Sequence, residues 1–212
     1  MQTRTLIDHL SRDLKPVRPR TFFSDARILV ILFVIELGLY LSARMVRPDI
    51  AFAIHLPSFW WKLLSLGLIG AVGGTATILS VDPTGSSRGS LRFILSLVAM
   101  SFLSGWVFCM PDWLPVPASR LNPMQGLHCV YSIILLSIPF TIGLGLVIRR
   151  GAPTDLEGTA ATAGIAAAAW GAFIFTFACP IDDPFYIALC YSIGCGAVLI
   201  CSRRILKYIA HW

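Results

Sequence analysis

Six apolar stretches, separated by turn residues, make up most of the chain and constrain its fold more than any other feature. They run approximately over residues 27–46, 59–81, 91–110, 129–148, 158–178 and 185–202. A helix needs about 20 residues to cross a hydrocarbon core of about 30 Å, and the stretches match that length. We therefore predict an all-α fold, an integral membrane bundle of six transmembrane helices.

The composition excludes the soluble classes. Charged residues make up 13% of the chain and hydrophobic residues 56%, whereas an average soluble domain has roughly 25% charged residues. The aromatic content of 11% also excludes a disordered chain. The net charge of +6 raises the question of nucleic acid, but basic cytoplasmic loops explain it in a membrane protein. We expect the lipid bilayer as a partner and no direct nucleic-acid contact.

The distribution of Lys and Arg predicts the orientation. With the N-terminus inside, thirteen of the 17 basic residues fall on the inner side, and Arg44, Arg47, Lys62 and Arg120 fall on the outer side. This follows the positive-inside rule, so we predict that both termini are cytoplasmic. Residues 1–26 would form a cytoplasmic N-terminal segment and residues 27–212 the six-helix transmembrane domain. The polar start contains no signal peptide, so the first span would serve as its own insertion signal.

The N-terminal segment contains one short amphipathic helix, predicted over residues 3–15 and ended by Pro16. Its apolar stripe consists of Leu6, Ile7, Leu10 and Leu14. A free helix of about 12 residues is marginal in water. It must therefore lie against the membrane surface, the inner loops or a groove of another protein. The residues alone leave a protein partner and the membrane equally open.

The chain has six cysteines but no C-x-x-C pair, which excludes zinc-ribbon and thioredoxin-like motifs. The three in the last stretch are interpreted as small apolar fillers. Cys129 and Cys179 lie on two stretches joined by a short inner hairpin. Each is about 20 residues from that hairpin, so at about 1.5 Å per residue both reach the same height. The two thiols could come within disulfide range, and two unpaired thiols are an equal alternative.

Two further hypotheses concern the same outer end of the bundle. A soft metal ion is one alternative to a disulfide, with His128, Cys129, Cys179 and Asp182 as its candidate ligands. Cys109, at the outer end of the third stretch, is a candidate additional thiol. The sequence indicates no catalytic residue and no cofactor.

Small residues predict where the helices pack, because helices in lipid associate by close approach. Gly70 and Gly74 form a GxxxG pair that Gly67 and Gly73 reinforce, and the Ala-rich fifth stretch is predicted to lie centrally and to leave room for helices to slide. Glu36 lies inside the first stretch. It is either a proton relay or ion ligand, or a protonated carboxyl bonded to a serine or a backbone carbonyl.

Several motifs resemble a known family. They are Leu6-Ile7-Asp8-His9-Leu10, Pro16-Val17-Arg18, Arg149-Arg150-Gly151-Ala152-Pro153-Thr154, Cys179-Pro180, Asp182-Asp183-Pro184 and Arg203-Arg204. Together they resemble the NrsF family, negative regulators of sigma F, which are six-span anti-sigma factors of the bacterial inner membrane. The similarity is strongest over residues 129–190. Cys190 departs from the family pattern, which has an aromatic residue at that position.

The resemblance implies a non-enzymatic regulator that holds an extracytoplasmic-function sigma factor at its cytoplasmic face. The implied sigma-factor-binding residues are Leu6, Ile7, Asp8, Leu10, Arg12, Leu14, Pro16 and Arg18, with Arg149 and Arg150 as an inner-loop contact. It also implies that Cys129 and Cys179 are sensory thiols that respond to a periplasmic stress signal, an oxidant or a heavy metal.

Two other functions stay open on the residues alone. One is a membrane enzyme that passes electrons between thiols and quinone, although such an enzyme is expected to carry an exposed C-x-x-C pair with a lowered pKa. The other is a small transporter that uses Glu36, although no broken helix or internal repeat supports a transport path.

Overall fold

The computed structural model describes residues 21–43, 46–82, 87–109, 123–151, 153–181 and 184–209. Within these ranges the chain is all-α, with seven helices and no strand. The helices are α1 (Phe22–Ser42), α2 (Ile50–Ala53), α3 (Pro57–Ser80), α4 (Ser87–Cys109), α5 (Pro123–Arg149), α6 (Leu156–Thr176) and α7 (Pro184–Ile209). The predicted all-α class is therefore confirmed, and the predicted N-terminal helix lies outside the described residues.

Six of these helices coincide with the six apolar stretches, and their ends differ for identifiable reasons. Helix α5 begins at Pro123, six residues before the predicted start at residue 129, because proline fits the first turn of a helix. Helix α7 continues to Ile209, past the predicted end at residue 202. Hydropathy marks where a helix is apolar, whereas Arg203, Arg204 and Lys207 continue this helix as a polar extension.

Four of the helices are long and apolar enough to cross a membrane. They correspond to Pro57–Ser80, Met124–Arg149, Leu156–Thr176 and Tyr186–Tyr208. Helix α1 carries three charged residues, Asp25, Arg27 and Glu36, and α4 begins with Arg88 and Arg92. Six membrane spans and cytoplasmic termini stay predictions.

Helix α6 lies at the centre of the bundle and packs against α3, α4, α5 and α7. Its glycines and alanines are nearly all buried, because they let neighbouring backbones approach closely. A Cβ added to Gly171 would lie 2.2 Å from the Ser137 Oγ and 2.7 Å from the Ile133 carbonyl oxygen of α5. The face of α6 that carries the glycines and alanines is thus in contact with neighbouring helices. This corrects the expectation that this face leaves room for the helices to slide.

The contact between α3 and α6 follows a three-residue spacing instead of the predicted GxxxG pair. An added Cβ at Gly67, Gly70 or Gly73 would meet Phe173, Trp170 or Ala166 of α6, respectively. At Gly74 it would meet nothing within 4 Å. Rows of residues three apart also form ridges on a helix surface, and here that row faces the partner helix.

Glu36 joins α1 to the central helix through an aromatic residue. The Trp170 indole N–H donates to its Oε2 at 2.8 Å, while its Oε1 is buried without a hydrogen-bond partner among the described residues. The predicted partner, a serine or a backbone carbonyl, was wrong. Phe33 of α1 also packs on Trp170, with ring centroids 4.0 Å apart, so Glu36 belongs to the α1–α6 packing contact.

Candidate functional site

Cys129 and Cys179 meet at one end of the bundle, where their thiols interact with each other. Cys129 lies in the second turn of α5 and is 3% exposed, and Cys179 follows the end of α6 and is 1% exposed. Both are free thiols. The antiparallel α5–α6 hairpin therefore brings together the two cysteines that the sequence singled out, at the same height in the bundle.

The backbone around Cys179 is held by Arg47, which is 3% exposed. The Arg47 N–H donates to the Phe177 carbonyl at 2.9 Å, and its Nη1 donates to the Cys179 carbonyl at 3.1 Å. Asp49 accepts two further hydrogen bonds from the guanidinium, each at 2.7 Å. These bonds lower the pKa of Asp49 to about 2. A buried guanidinium needs such partners, and here they fix the Cys179 segment in place.

A second buried cation, Lys62, holds the same segment. It lies in the second turn of α3 and is 1% exposed. Its Nζ donates to the Ile181 carbonyl at 3.2 Å, and the Cys179 thiol donates to the same oxygen at 3.8 Å. The ammonium and the sulfur therefore converge on one carbonyl oxygen.

Helix α7 adds a third thiol and two tyrosine hydroxyls. The Tyr191 hydroxyl interacts electrostatically with Cys179, and the Tyr186 hydroxyl interacts with Cys129 and Cys190. Cys190 is 6% exposed. We refer to Cys129, Cys179 and Cys190, with these two tyrosines, as the thiol cluster. Among the described residues, helices α5 and α7 and the segment that follows α6 thus contribute side chains to one buried group.

The electrostatics of the thiol cluster favour a negative charge on Cys179. The neighbouring Cys129 thiol is the largest cause, and the backbone at Ile181, the Lys62 charge and the Tyr191 hydroxyl act in the same direction. Burial opposes them, yet together they lower the pKa of Cys179 to about 6. Because the thiolate is the reactive form of cysteine, Cys179 has the character of a reactive thiol at neutral pH.

Of the four candidate metal ligands, Cys129 and Cys179 lie together, and His128 does not join them among the described residues. His128 is exposed, and its ring centroid lies 6.5 Å from that of Phe175. Consecutive helical residues point about 100° apart, so His128 lies on a different side of α5 from the Cys129 side chain. Over the described ranges no group of three His, Cys, Asp or Glu side chains could hold a metal ion, and Asp182 lies outside those ranges.

The other predicted residues lie elsewhere. Cys109 is the last residue of α4, and its side chain lies outside the described part of the structure. The predicted contacts on the N-terminal segment also lie outside it, namely Leu6, Ile7, Asp8, Leu10, Arg12, Leu14, Pro16 and Arg18. Arg149 and Arg150 are exposed at the opposite end of α5 from Cys129, about 30 Å away by helix length.

That opposite end is tied together by surface contacts. Asp155 caps α6 by accepting a hydrogen bond from the Gly158 N–H at 3.0 Å, which satisfies one free donor of the helix start. Glu157 of α6 forms an ion pair with Lys207 of α7. These contacts order the start of α6 beside the end of α7, next to the exposed arginines.

Several residues of the site were missed by the sequence reasoning. Arg47 and Lys62 were used only to count charges for topology, and Cys190 was interpreted as a filler. One signal for Cys190 was available, since Cys129 and Cys190 each lie six residues after the first residue of their helix. Parallel helices that start at the same level place such residues at the same depth.

Fold and site together define a helical bundle in which four of the described helices are apolar enough to span a membrane. A buried thiol cluster lies at one end of this bundle, and exposed arginines lie at the other. The sequence profile of the family described as "NrsF: Negative regulator of sigma F" matches residues 10–212. The chain belongs to this family, which confirms the resemblance seen in its motifs.

A curated relative supports the same assignment. The chain is 28% identical over 222 aligned residues to the "Anti-sigma-F factor NrsF" of Caulobacter vibrioides (strain NA1000 / CB15N), and the alignment covers 100% of both chains. No solved structure matches the chain. The family is one of regulators, so the assignment favours a regulatory protein over an enzyme.

Proposed function

We propose that this protein is an inner-membrane anti-sigma factor that sequesters an extracytoplasmic-function sigma factor at its cytoplasmic face and releases it when a periplasmic signal reaches the thiol cluster. Family membership supports the anti-sigma role. The observation that carries the rest is the contact between the Cys129 and Cys179 thiols. The same two helices, α5 and α6, that position these thiols also end at the exposed arginine hairpin.

The proposed topology has six spans and both termini in the cytoplasm. The burial of Arg47 and Lys62 supports it, because these outer cations are enclosed in the protein and the exposed cations of the described residues concentrate at the other end, as the positive-inside rule requires. A reporter fused after residue 155 should be cytoplasmic and one fused after residue 183 periplasmic. The reverse result at either position would overturn the orientation.

The proposed sigma-factor contact combines the N-terminal helix with the inner hairpin. The N-terminal residues Leu6, Ile7, Leu10 and Leu14 would supply an apolar stripe, and Arg149 and Arg150 are exposed and available to an acidic surface. Helix-in-groove binding uses such a stripe, and exposed cations contribute mainly association rate and salt dependence.

The proposed sensory step links Cys129 to Cys179 by a disulfide or modifies them with a thiol-reactive heavy metal. Thiols that lie next to each other need only a small movement to reach bonding distance. That movement pulls the Cys179 segment, which Arg47 and Lys62 hold, towards α5. Since the α5–α6 interface is in close contact at Gly171, the two helices transmit the change as rigid bodies to the hairpin.

The test uses single serine variants and co-purification of the sigma factor before and after treatment with hydrogen peroxide or a cadmium salt. Cys129→Ser and Cys179→Ser should both abolish the response in the same direction, and the double variant should be no worse than either. Cys201→Ser is the matched control, because Cys201 is exposed on α7 far from the thiol cluster. A normal response in both single variants, or additive effects, would remove the sensory role.

A further inference from the structure

We infer that Cys179, and not Cys129, is the thiol that a hydroperoxide oxidises first, and that Lys62 is the positioning residue that gives Cys179 this role. The inference rests on the proposed function and deepens it, because it assigns different tasks to the two thiols and names the class of oxidant. Nothing in family membership distinguishes the two cysteines.

The first observation is the difference in charge around the two sulfurs. The Lys62 Nζ and the Cys179 Sγ contact the same oxygen, that of Ile181, at 3.2 and 3.8 Å. They therefore lie within about 7 Å of each other, a range at which charges interact strongly in a poorly solvated site. The groups that act on Cys129 are thiols and a tyrosine hydroxyl, from Cys179, Cys190 and Tyr186. The ammonium thus favours an anion on Cys179.

The second observation is the neighbourhood of each sulfur. Cys179 follows the end of α6 and lies among the Lys62 ammonium, the Cys129 thiol and the Tyr191 hydroxyl, whose interactions lower its pKa. Groups that favour the charged form stabilise the thiolate, and the thiolate is the nucleophile. Cys129 lies inside helix α5 among neutral thiol and hydroxyl groups, which suits the thiol that acts second.

The third observation is the burial of the site. Cys179 is 1% exposed and Lys62 is 1% exposed, so a bulky or charged oxidant has poor access. A hydroperoxide, hydrogen peroxide in the simplest case, is small and neutral. The Lys62 ammonium is a buried cation of this site, and a fixed cation favours the oxygen anion that leaves when the peroxide bond breaks.

The reaction balances as follows. The Cys179 thiolate attacks one peroxide oxygen, the O–O bond breaks, and the leaving oxygen takes a proton and departs as water, which leaves a sulfenic acid on Cys179. The Cys129 sulfur then attacks the Cys179 sulfur, the S–O bond breaks, and the Cys129 proton leaves with that oxygen as a second water. Two thiols are oxidised to one disulfide, and one hydrogen peroxide is reduced to two waters.

The experiment traps the intermediate on the purified full-length protein in lipid vesicles. Cys129→Ser keeps a donor for the Cys179 sulfur but cannot complete the disulfide, so it should accumulate sulfenic acid on Cys179. Labelling with a dimedone-type probe, located by peptide mass spectrometry, should be at least tenfold higher on Cys179 in this variant than on Cys129 in Cys179→Ser. Equal labelling, or more on Cys129, would overturn the order of reaction.

The role of Lys62 is tested in the Cys129→Ser background. Lys62→Met should lower the labelling rate of Cys179 about tenfold at pH 7, and Lys62→Arg should restore most of it because it keeps the charge. The deficit of Lys62→Met should shrink above pH 9, where an ordinary thiol is ionised without help. A deficit that persists at high pH, with no rescue by arginine, would make Lys62 only structural and would refute this role.

The outcome is distinguishable from failure of the proposed function. The labelling uses no sigma factor, so it reports on the order of thiol reaction alone. Retention of the sigma factor by oxidised wild-type protein would refute the proposed signalling while leaving the order of reaction intact. Lys207→Met, at the other end of α7, is the matched lysine control and should leave the labelling rate of Cys179 unchanged.

Discussion

The two ends of the bundle use positive charge in opposite ways. At the thiol cluster, Arg47 and Lys62 are buried and bind the carbonyl oxygens of the Cys179 segment. At the other end, Arg149 and Arg150 are exposed at the end of α5. A buried cation is costly to remove from water, so it must be matched by fixed partners. An exposed cation has no such requirement and stays available to another molecule.

The largest effect on sigma-factor binding is expected at the end of the bundle that carries Arg149 and Arg150. Deletion of residues 2–15 should weaken sigma-factor binding about 100-fold or more, because the lost apolar burial of two leucines alone contributes about 1.5–3 kcal/mol each. The deleted protein should still insert in the membrane. Binding is measured by titration of the purified sigma factor into vesicles.

A matched pair of point variants sharpens this prediction. Leu10→Asp places a charge on the apolar stripe and should weaken binding strongly, whereas Thr5→Asp places the same charge on the polar face of the predicted helix and should change it little. Normal binding by the deletion variant would transfer the contact to the inner hairpin.

The thiol end should respond in folding stability. Arg47→Met should lower the free energy of unfolding by about 2–3 kcal/mol, because a hydrogen bond to a charged group contributes about 1.5–3 kcal/mol and the Cys179 carbonyl loses its guanidinium donor. Arg150→Met should change it by less than about 0.5 kcal/mol, as surface substitutions do. Unfolding in detergent measures both. Equal losses of stability in the two variants would contradict the described difference between the two ends.

The pH dependence of alkylation tests the charge state of Cys179. With a pKa of about 6, the thiolate fraction should fall about tenfold between pH 7 and pH 5, because only the deprotonated form reacts. An ordinary thiol with a pKa of about 8.5 would lose about 100-fold over the same interval. The rate with iodoacetamide is read on the Cys179 peptide. A 100-fold loss would contradict the electrostatic description of the site.

The smallest effect concerns the exposed arginines. Arg149→Ala and Arg150→Ala should each weaken sigma-factor binding about threefold at low salt and almost not at all at high salt, since exposed charge pairs contribute less than about 1 kcal/mol and are screened. Arg27→Ala, in α1, serves as a charge-matched control. Salt-independent losses would indicate that these arginines are buried in the complex.

The sequence was sufficient for the helices because the apolar stretches are long and the turns between them are marked by proline and glycine. It was also sufficient to select Cys129 and Cys179, since chain length along two adjacent helices fixes their height. Side-chain direction was harder to predict. The Gly70–Gly74 pair was wrong because helix rotation about its axis decides which row faces α6, and spacing alone does not contain that rotation.

The same limit explains the missed residues of the site. A lysine near a membrane boundary is usually exposed and marks topology, and nothing next to Lys62 in the sequence indicates that its amine reaches the residues after α6. Its position depends on how α3 packs against α6 through Gly67, Gly70 and Gly73. The packing of the helices, and not the local sequence pattern, therefore makes Lys62 part of the site.

The close contact of Gly171 with Ser137 has a mechanical consequence. Ser137 lies eight residues after Cys129 and twelve residues before Arg149, which corresponds to about 12 Å on one side and about 18 Å on the other. If α5 tilts against α6 about this contact, it acts as a pivot with unequal arms. A displacement of 1 Å at the thiols would then become about 1.5 Å at the arginines, in the opposite direction. Drawing the outer ends together would spread the inner ends, and distances between spin labels on the two arms would show it.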